Sequence, residues 1–156
     1  MLPDNFAVFI LSHGRADNVI TYKTLRRSNY TGKVYIVIDN EDKQAEKYYQ
    51  NFGDMVIMFD KAAEAERTDT GDNFPERNTV LFARNAVFDI AERLGFEYFL
   101  VLDDDYNDFR YKISHHLLYI DRRYIKDGDL VIGFLLEYFK SIKCASLAIA
   151  QGGDFI

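Results

Sequence analysis

Short apolar runs alternate along the chain with longer polar or amphipathic stretches. Continuous apolar runs rich in β-branched and aromatic residues are typical of strands that are buried on both faces of a sheet. They predict four strands, at residues 6–11, 34–38, 55–59 and 96–102, and a last strand at Cys144–Ala150. Residues 109–113 are a candidate for a further strand.

The stretches between these runs predict helices. Asp17 is a candidate N-cap for a helix to about Asn29, and a polar helix at residues 41–52 ends near Gly53. Residues 61–77 predict a loop that begins with a short helix, and further helices follow at about 78–94 and 130–143. The apolar face predicted for the 78–94 helix consists of Val80, Ala83, Val87, Ile90, Ala91 and Leu94. Strands that alternate with helices predict an α/β protein with a mostly parallel sheet and helices on both faces.

Composition narrows the class of protein. The chain has 156 residues, of which 48% are hydrophobic, and this predicts one folded domain spanning residues 1–156. The formal net charge of −6 argues against a surface that holds nucleic acid by bulk electrostatics. The single cysteine, Cys144, cannot form an intrachain disulfide and lies in an apolar run, so we expect a reducing compartment and a core position. Without a signal peptide or a long apolar segment, the expected location is cytoplasmic, with no membrane partner.

Distinctive polar groups follow three of the predicted strands. Residues 12–15 (Ser-His-Gly-Arg) follow the first strand, Asp39 follows the second, and the triplet Asp103–Asp105 follows the fourth. In parallel α/β sheets, ligands bind beyond the carboxyl ends of the strands, so these groups are predicted to form a site. The backbone amides of residues 13–15 are candidates to face an anion. Asp39 is a candidate to accept hydrogen bonds from a ribose or a base edge, or alternatively to cap the next helix.

The aspartate triplet is the strongest chemical signal in the sequence. Neighbouring carboxylates repel one another unless they bind a cation or pair with arginine or lysine. Oxygen ligands suit Mg²⁺ or Mn²⁺, which often bind through substrate phosphates. Strand alternation predicts that Asp103 and Asp105 point one way, toward a metal-bound phosphate, and that Asp104 points the other way. The alternative interpretation is a solvated acidic turn.

Other polar residues give weaker signals. Arg84 lies beside apolar neighbours on its helix and either meets an anion or extends to solvent, and the second option is favoured for Arg77. Gly152 and Gly153 allow close backbone approach to a ligand, and Asp154 is a candidate proton acceptor. Neither the P-loop nor the dinucleotide-binding fingerprint is present.

An ordered set of segments resembles a known family. FILSHGRADN, VYIVIDN, the Ala83-Arg84-Asn85 helix, FLVLDDD and SLAIAQGGDF together resemble the TET-associated glycosyltransferases, relatives of the base J glucosyltransferases, over nearly all of the chain. The resemblance implies a GT-A-like (Rossmann-like) fold, a UDP-sugar donor that is preferably UDP-glucose, and Mn²⁺ or Mg²⁺. It also implies a hydroxyl acceptor, with a hydroxylated pyrimidine in DNA favoured.

The same resemblance assigns roles to individual residues. Asp103 and Asp105 correspond to a DxD motif, in which Asp105 binds the metal that bridges the diphosphate and Asp103 serves the metal and the ribose or sugar side. Asp39 holds the uridine. The remaining residues implied on the donor side are Ser12, Arg15, Arg84 and Asn85. Asp154 is the candidate base that deprotonates the acceptor.

Two alternatives to glycosyl transfer stay open at this point. In a phosphatase or phosphotransferase of the HAD type, Asp103 would be the nucleophile and Asp105 the acid/base, although that motif normally opens the fold. The second alternative is an inactive module that binds a nucleotide sugar or a protein. GT-A enzymes usually continue past the position of Asp154, so a domain shortened on its acceptor side is expected.

Overall fold

The computed structural model describes residues 2–69, 71, 79–113, 116 and 119–150. Its strands are β1 (Phe6–Leu11), β2 (Val34–Asp39), β3 (Val56–Phe59), β4 (Tyr98–Asp103), β5 (Arg110–Ile113) and β6 (Tyr119–Tyr124). Its helices are α1 (Ile20–Arg27), α2 (Ala45–Phe52), α3 (Lys61–Arg67), α4 (Leu81–Arg93) and α5 (Gly128–Ser141), with a 3₁₀ turn at Gly53–Met55. None of the helices in the described residues is long and apolar enough to cross a bilayer.

The central sheet has four parallel strands in the order β3-β2-β1-β4. The inner strand β1 is buried along its whole length, as its uninterrupted apolar sequence predicts. Leu11 at the end of β1 lies beside Asp103 of β4 and Val37 of β2. The strands therefore end close together, at one edge of the sheet, and the polar residues that follow them share this edge.

Helices cover both faces of the sheet, which confirms the predicted α/β class. On one face, alternate residues of β1 pack against α1, α2 and α5, through Leu25, Tyr48, Ile132 and Leu136. On the other face, the intervening residues of β1 pack against α4, through Ala86, Val87, Ile90 and Ala91. The two-sided core explains why β1 has no polar position.

The first two helices begin later than the sequence predicts. Asp17 does not cap α1, because its carboxylate pairs with Lys47 of α2 and the helix begins at Ile20. The second helix begins at Ala45 rather than at residue 41, because the preceding residues form a turn. In that turn the Asp42 carboxylate accepts hydrogen bonds from the backbone amides of Gln44 and Gly14.

The predicted apolar face of α4 is partly wrong. Val87, Ile90 and Ala91 are buried as predicted, but Val80 and Leu94 are 45% and 40% exposed. These two residues flank the helix rather than belong to it, because α4 begins at Leu81 and ends at Arg93. Their places in the core are taken by Phe82 and Ala86.

The predicted last strand is also wrong. Residues 144–150 form no strand and are exposed, and Cys144 is exposed rather than in the core. Several side chains in this run are small, so the run buries little apolar surface if it packs. A strand also needs a ladder partner, and the sheet in the described residues ends at β4.

An antiparallel hairpin of β5 and β6 follows the aspartate triplet. The sequence indicates β5 through its FRYKI run, but it gives no clear signal for β6. Charged residues at 121–123 interrupt the apolar pattern of that strand. A two-stranded ribbon does not require a continuous apolar face, so the periodicity signal is weak here.

Candidate functional site at the carboxyl edge of the sheet

The polar residues predicted to form a site do meet at the carboxyl edge of the sheet. Arg15 of the loop after β1 lies 2.8 Å from Asp104 and 3.6 Å from Asp105, measured from its Nη1 atom to the nearest carboxylate oxygen. Arg84 of α4 lies 3.4 Å from Asp103. Among the described residues, the positive groups paired with the aspartate triplet are therefore two arginines from two different elements.

Asp104 is the buried member of the triplet and fixes the loop after β1. Its carboxylate accepts hydrogen bonds from Ser12 Oγ at 2.6 Å and from Arg15 Nη1 at 2.8 Å. Because Ser12 donates its hydrogen to Asp104, the Tyr48 hydroxyl, 2.6 Å away, donates to Ser12. Tyr48 in turn accepts the backbone N–H of Arg15 at 2.9 Å. Burial raises the pKa of Tyr48 above its ordinary value, which keeps this hydroxyl protonated as a donor.

Asp103 and Asp105 are the accessible members of the triplet. Asp103 ends β4, and the chain turns at the next residue. Strand alternation therefore stops there, and Asp105 lies near the same arginine as Asp104, so the prediction that Asp104 and Asp105 point in opposite directions is not met. The Asp105 side chain is 61% exposed, and its carboxylate lies 3.6 Å from Arg15. Two carboxylates thus reach solvent at this edge, each within 4 Å of a guanidinium group.

Thr21 of α1 holds the acidic turn in place. Its hydroxyl donates to the carbonyl of Asp103 at 2.6 Å and accepts the N–H of Tyr106 at 2.9 Å. Its own N–H donates to the carbonyl of Asp104 at 3.1 Å. Thr21 is fully buried and fastens the turn at three points. Thr21 is not predictable from the sequence, because a single threonine near a helix start has no distinctive pattern.

The loop after β1 presents side chains rather than backbone amides. The Gly14 N–H donates to Asp42 at 2.7 Å, and the Ala16 N–H donates to Gln44 at 3.0 Å. The Arg15 amide is bound by Tyr48, as described above. The prediction that these amides face an anionic ligand is therefore wrong for Gly14 and Arg15, because residues of α2 and of the turn before it accept their hydrogen bonds. What the loop offers to a ligand is the side chains of His13 and Arg15, both more than half exposed.

Asp39 is buried at the end of β2 and both of its oxygens have partners. Oδ2 lies 2.6 Å from His13 Nδ1, and Oδ1 accepts the N–H of Glu41 at 3.1 Å. Lys61, whose side chain is only 13% exposed, places its ammonium 3.7 Å from Oδ1. The side chains of His13 and Lys61 had no predicted role in the site. Lys61 starts α3 directly after β3, so it also lies beyond the carboxyl end of a strand. Because ligands of parallel α/β sheets bind there, its position in the sequence was enough to predict it as a site residue.

Two residues of the predicted set lie elsewhere. Asn85 follows Arg84 on α4, but its side-chain amide donates to Thr68 Oγ1 at 3.0 Å, toward the end of α3. It therefore packs between two helices instead of joining Arg84 beside Asp103. Asp154, the candidate base, lies outside the described residues.

The carboxylates of the acidic turn suit a metal ion that is shared with a phosphorylated ligand, and not one that is held by protein side chains alone. No cluster of three or more aspartate, glutamate, histidine or cysteine side chains within the described residues is arranged to hold a metal ion. Mg²⁺ and Mn²⁺ are, however, commonly held by one or two carboxylates together with substrate phosphates and water. Asp103 and Asp105 suit this second mode, in which the metal arrives with a phosphorylated ligand.

The protein has a Rossmann-like α/β fold, because its parallel sheet has helices on both faces. The arginine-flanked acidic turn lies at the carboxyl edge of this sheet, where such folds bind ligands. The family model of the TET-associated glycosyltransferases matches residues 6–156. The chain therefore belongs to the TET-associated glycosyltransferase family, and it is a glycosyltransferase by family, with a nucleotide-sugar donor and an acceptor. No curated protein and no solved structure matches the chain.

Proposed function

We propose that the protein transfers glucose from UDP-glucose to a hydroxyl group, with Mn²⁺ or Mg²⁺ bound at Asp103 and Asp105. A hydroxylated pyrimidine in DNA is the proposed acceptor, on the strength of the family resemblance. The observation that carries the proposal is the pair of accessible carboxylates flanked by Arg15 and Arg84. Together, a divalent cation and the two arginines offset most of the negative charge of the acidic triplet and of a bound diphosphate.

In the proposed reaction the bond between the sugar's anomeric carbon and the diphosphate oxygen breaks, and a bond to the acceptor oxygen forms. The departing UDP gains negative charge, which Arg15 and Arg84 stabilise electrostatically. A divalent cation, when bound, supplies Lewis-acid stabilisation of the same diphosphate. The acceptor hydroxyl loses its proton to a base, for which Asp154 is the proposed residue.

Ser12 has a positioning role in this proposal. Its hydroxyl is buried and bonded to both Asp104 and Tyr48, so it has little capacity left for a ligand. It acts by holding Asp104, which in turn directs the Arg15 guanidinium to the diphosphate. Arg15 is therefore pre-organised, and ligand binding does not need to order it.

Thermal-shift titration with UDP and Mn²⁺ tests the donor site. Ligand at a hundred times its dissociation constant stabilises a protein by about 2.7 kcal/mol, so we expect the melting temperature to rise by several degrees. The rise is expected to need UDP and Mn²⁺ together, and Asp105→Asn should abolish the metal-dependent part. Asp54→Asn is the matched control, because Asp54 is exposed and precedes β3, at the amino end of that strand. An equal UDP shift with and without Mn²⁺ would refute the metal role of Asp105.

Product analysis tests the reaction. Incubation with UDP-glucose, Mn²⁺ and an oligonucleotide containing 5-hydroxymethylpyrimidine is expected to release UDP and add a hexose mass to the oligonucleotide. An unmodified oligonucleotide is the control for the acceptor hydroxyl. Hydrolysis of a generic phosphoester without hexose transfer would instead support the HAD-type alternative and contradict the proposal.

A further inference from the structure

A histidine–aspartate pair, His13 and Asp39, lies beside the arginine-flanked turn. His13 Nδ1 is 2.6 Å from Asp39 Oδ2 and 3.8 Å from Asp42 Oδ2. Both carboxylates are almost fully buried, whereas the imidazole is more than half exposed. A histidine anchored at one nitrogen by a buried carboxylate has a fixed ring orientation, so its second nitrogen points in a defined direction.

The hydrogen bond between His13 Nδ1 and Asp39 determines what the second ring nitrogen, Nε2, can do. A carboxylate only accepts hydrogen bonds, so His13 donates its Nδ1 hydrogen to Asp39. In the neutral ring, Nε2 then carries a lone pair and accepts one hydrogen bond. Lys61 lies 3.7 Å from the other oxygen of Asp39 and supplies the positive charge that this buried carboxylate requires. No hydrogen bond of Nε2 is found among the described residues.

The position of the pair indicates which part of a donor it meets. Asp39 ends β2 and Asp103 ends β4, with β1 between them, so roughly 10 Å separates the two strand ends. The arginines are on the β4 side, where a diphosphate is stabilised. Buried carboxylates on the β2 side repel phosphate and favour neutral hydrogen-bond donors. His13 therefore faces the nucleoside portion of a donor whose diphosphate lies at Arg15.

We propose that His13, anchored by Asp39, is a specificity-determining residue that selects uracil as the donor base, an inference that rests on the proposed nucleotide-sugar donor. Uracil carries an imino N–H at N3 that donates to His13 Nε2. Cytosine has a lone pair at N3 instead, and this lone pair repels the lone pair of His13 Nε2. Asp39 then acts as a positioning residue rather than as the direct contact to uridine, because its carboxylate is almost fully buried and each oxygen already has a partner.

The same geometry argues against His13 as the base that deprotonates the acceptor. The acceptor oxygen attacks the anomeric carbon, which is attached to the distal phosphate of the donor. That carbon lies beyond the diphosphate, on the opposite side from the nucleoside. A histidine on the nucleoside side therefore contacts the base and not the acceptor.

Calorimetric titration of the full chain with UDP and with CDP, each with Mn²⁺, tests the inference. We expect the protein to bind UDP at least about tenfold more tightly than CDP, since one hydrogen bond is gained and a lone-pair clash is avoided. His13→Ala is expected to weaken UDP binding about tenfold and to leave CDP binding unchanged or slightly tighter, because the lone-pair clash is removed. His13→Gln offers an amide oxygen as acceptor and should restore part of the preference. His116→Ala is the matched control, because His116 is exposed and follows the acidic turn in the hairpin region.

The outcomes separate this inference from the proposed function. If UDP binds with Mn²⁺ and His13→Ala retains the full preference for UDP over CDP, the role of His13 is refuted and the donor site stands. If the unaltered protein binds UDP and CDP equally well, and binds both more tightly at lower pH, His13 donates a hydrogen bond to a phosphate instead. The inference is then again refuted. If neither nucleotide binds the unaltered protein, the proposed donor site itself is wrong.

Discussion

Arg15 shows how much of this site depends on a few buried polar atoms. Its guanidinium is held by Asp104, and its backbone N–H is held by the Tyr48 hydroxyl. Tyr48 also donates to Ser12, so one hydroxyl serves two residues of the loop. Buried polar groups of this kind stabilise little when paired and cost much when a partner is removed. Their effects can therefore be measured one at a time.

Tyr48→Phe removes that hydroxyl and keeps the ring. The Arg15 N–H then loses its partner in a partly buried position, so we expect the free energy of unfolding to fall by about 1–3 kcal/mol. Equilibrium denaturation with urea measures the change. Tyr49→Phe is the matched control on the same helix, because Tyr49 is exposed, and its effect should stay within about 0.5 kcal/mol. Equal effects in the two variants would show that the Tyr48 hydroxyl does not support the loop.

Alanine substitutions at the adjacent acids should separate stability from ligand binding. Asp104→Ala leaves Ser12 and Arg15 without their buried acceptor, and we expect a loss of about 1–3 kcal/mol of unfolding free energy. Asp105→Ala removes an exposed carboxylate and should change stability by less than about 0.5 kcal/mol while abolishing metal-dependent UDP binding. Urea denaturation and nucleotide titration on the same samples check both. A large stability loss in Asp105→Ala would contradict the division of roles.

Secondary elements were more predictable than the contacts between them. The uninterrupted apolar run of β1 indicates a central strand whatever surrounds it, and the structure agrees. The site location also follows from the sequence, because it needs only the order of strands and their ends. The buried role of Asp104 did not follow, because it depends on where β4 stops and the chain turns. The pairing of Asp39 with His13 and Lys61 did not follow either, because both residues are distant from Asp39 in sequence.

The orientation of α4 gives a direct test of how this helix packs. Ile90→Ala is expected to lower the free energy of unfolding by about 2–5 kcal/mol, because Ile90 is buried against the sheet. Leu94→Ala is the matched control, since Leu94 is 40% exposed just beyond the helix end. The control should lose much less. Thermal or urea denaturation measures both, and similar losses would indicate that the helix faces the core as the sequence pattern alone suggested.

At the scale of the whole molecule, we expect the free energy of unfolding to fall at alkaline pH. Burial raises the pKa of both Tyr30 and Tyr48 above the ordinary tyrosine value of 10.0. The folded state therefore favours the protonated hydroxyls, which adds to the free energy of unfolding. This stabilisation is complete below pH 10 and is lost as the pH rises through the raised pKa values of the folded state. Urea denaturation across this pH range should show a falling free energy of unfolding. Tyr30→Phe should flatten the fall and Tyr49→Phe should not; an equal slope in all three proteins would contradict the assignment.

The central claim is that the accessible acids and the two arginines together bind a divalent cation with a nucleoside diphosphate. Electron paramagnetic resonance of Mn²⁺ tests it most directly, because the signal of the aqueous ion decreases when the ion is bound. We predict that protein and UDP together remove more of this signal than the sum of what each removes alone, and that Asp105→Asn cancels this excess while Asp54→Asn preserves it. An excess of the same size in Asp105→Asn, or none in the unaltered protein, would contradict the account.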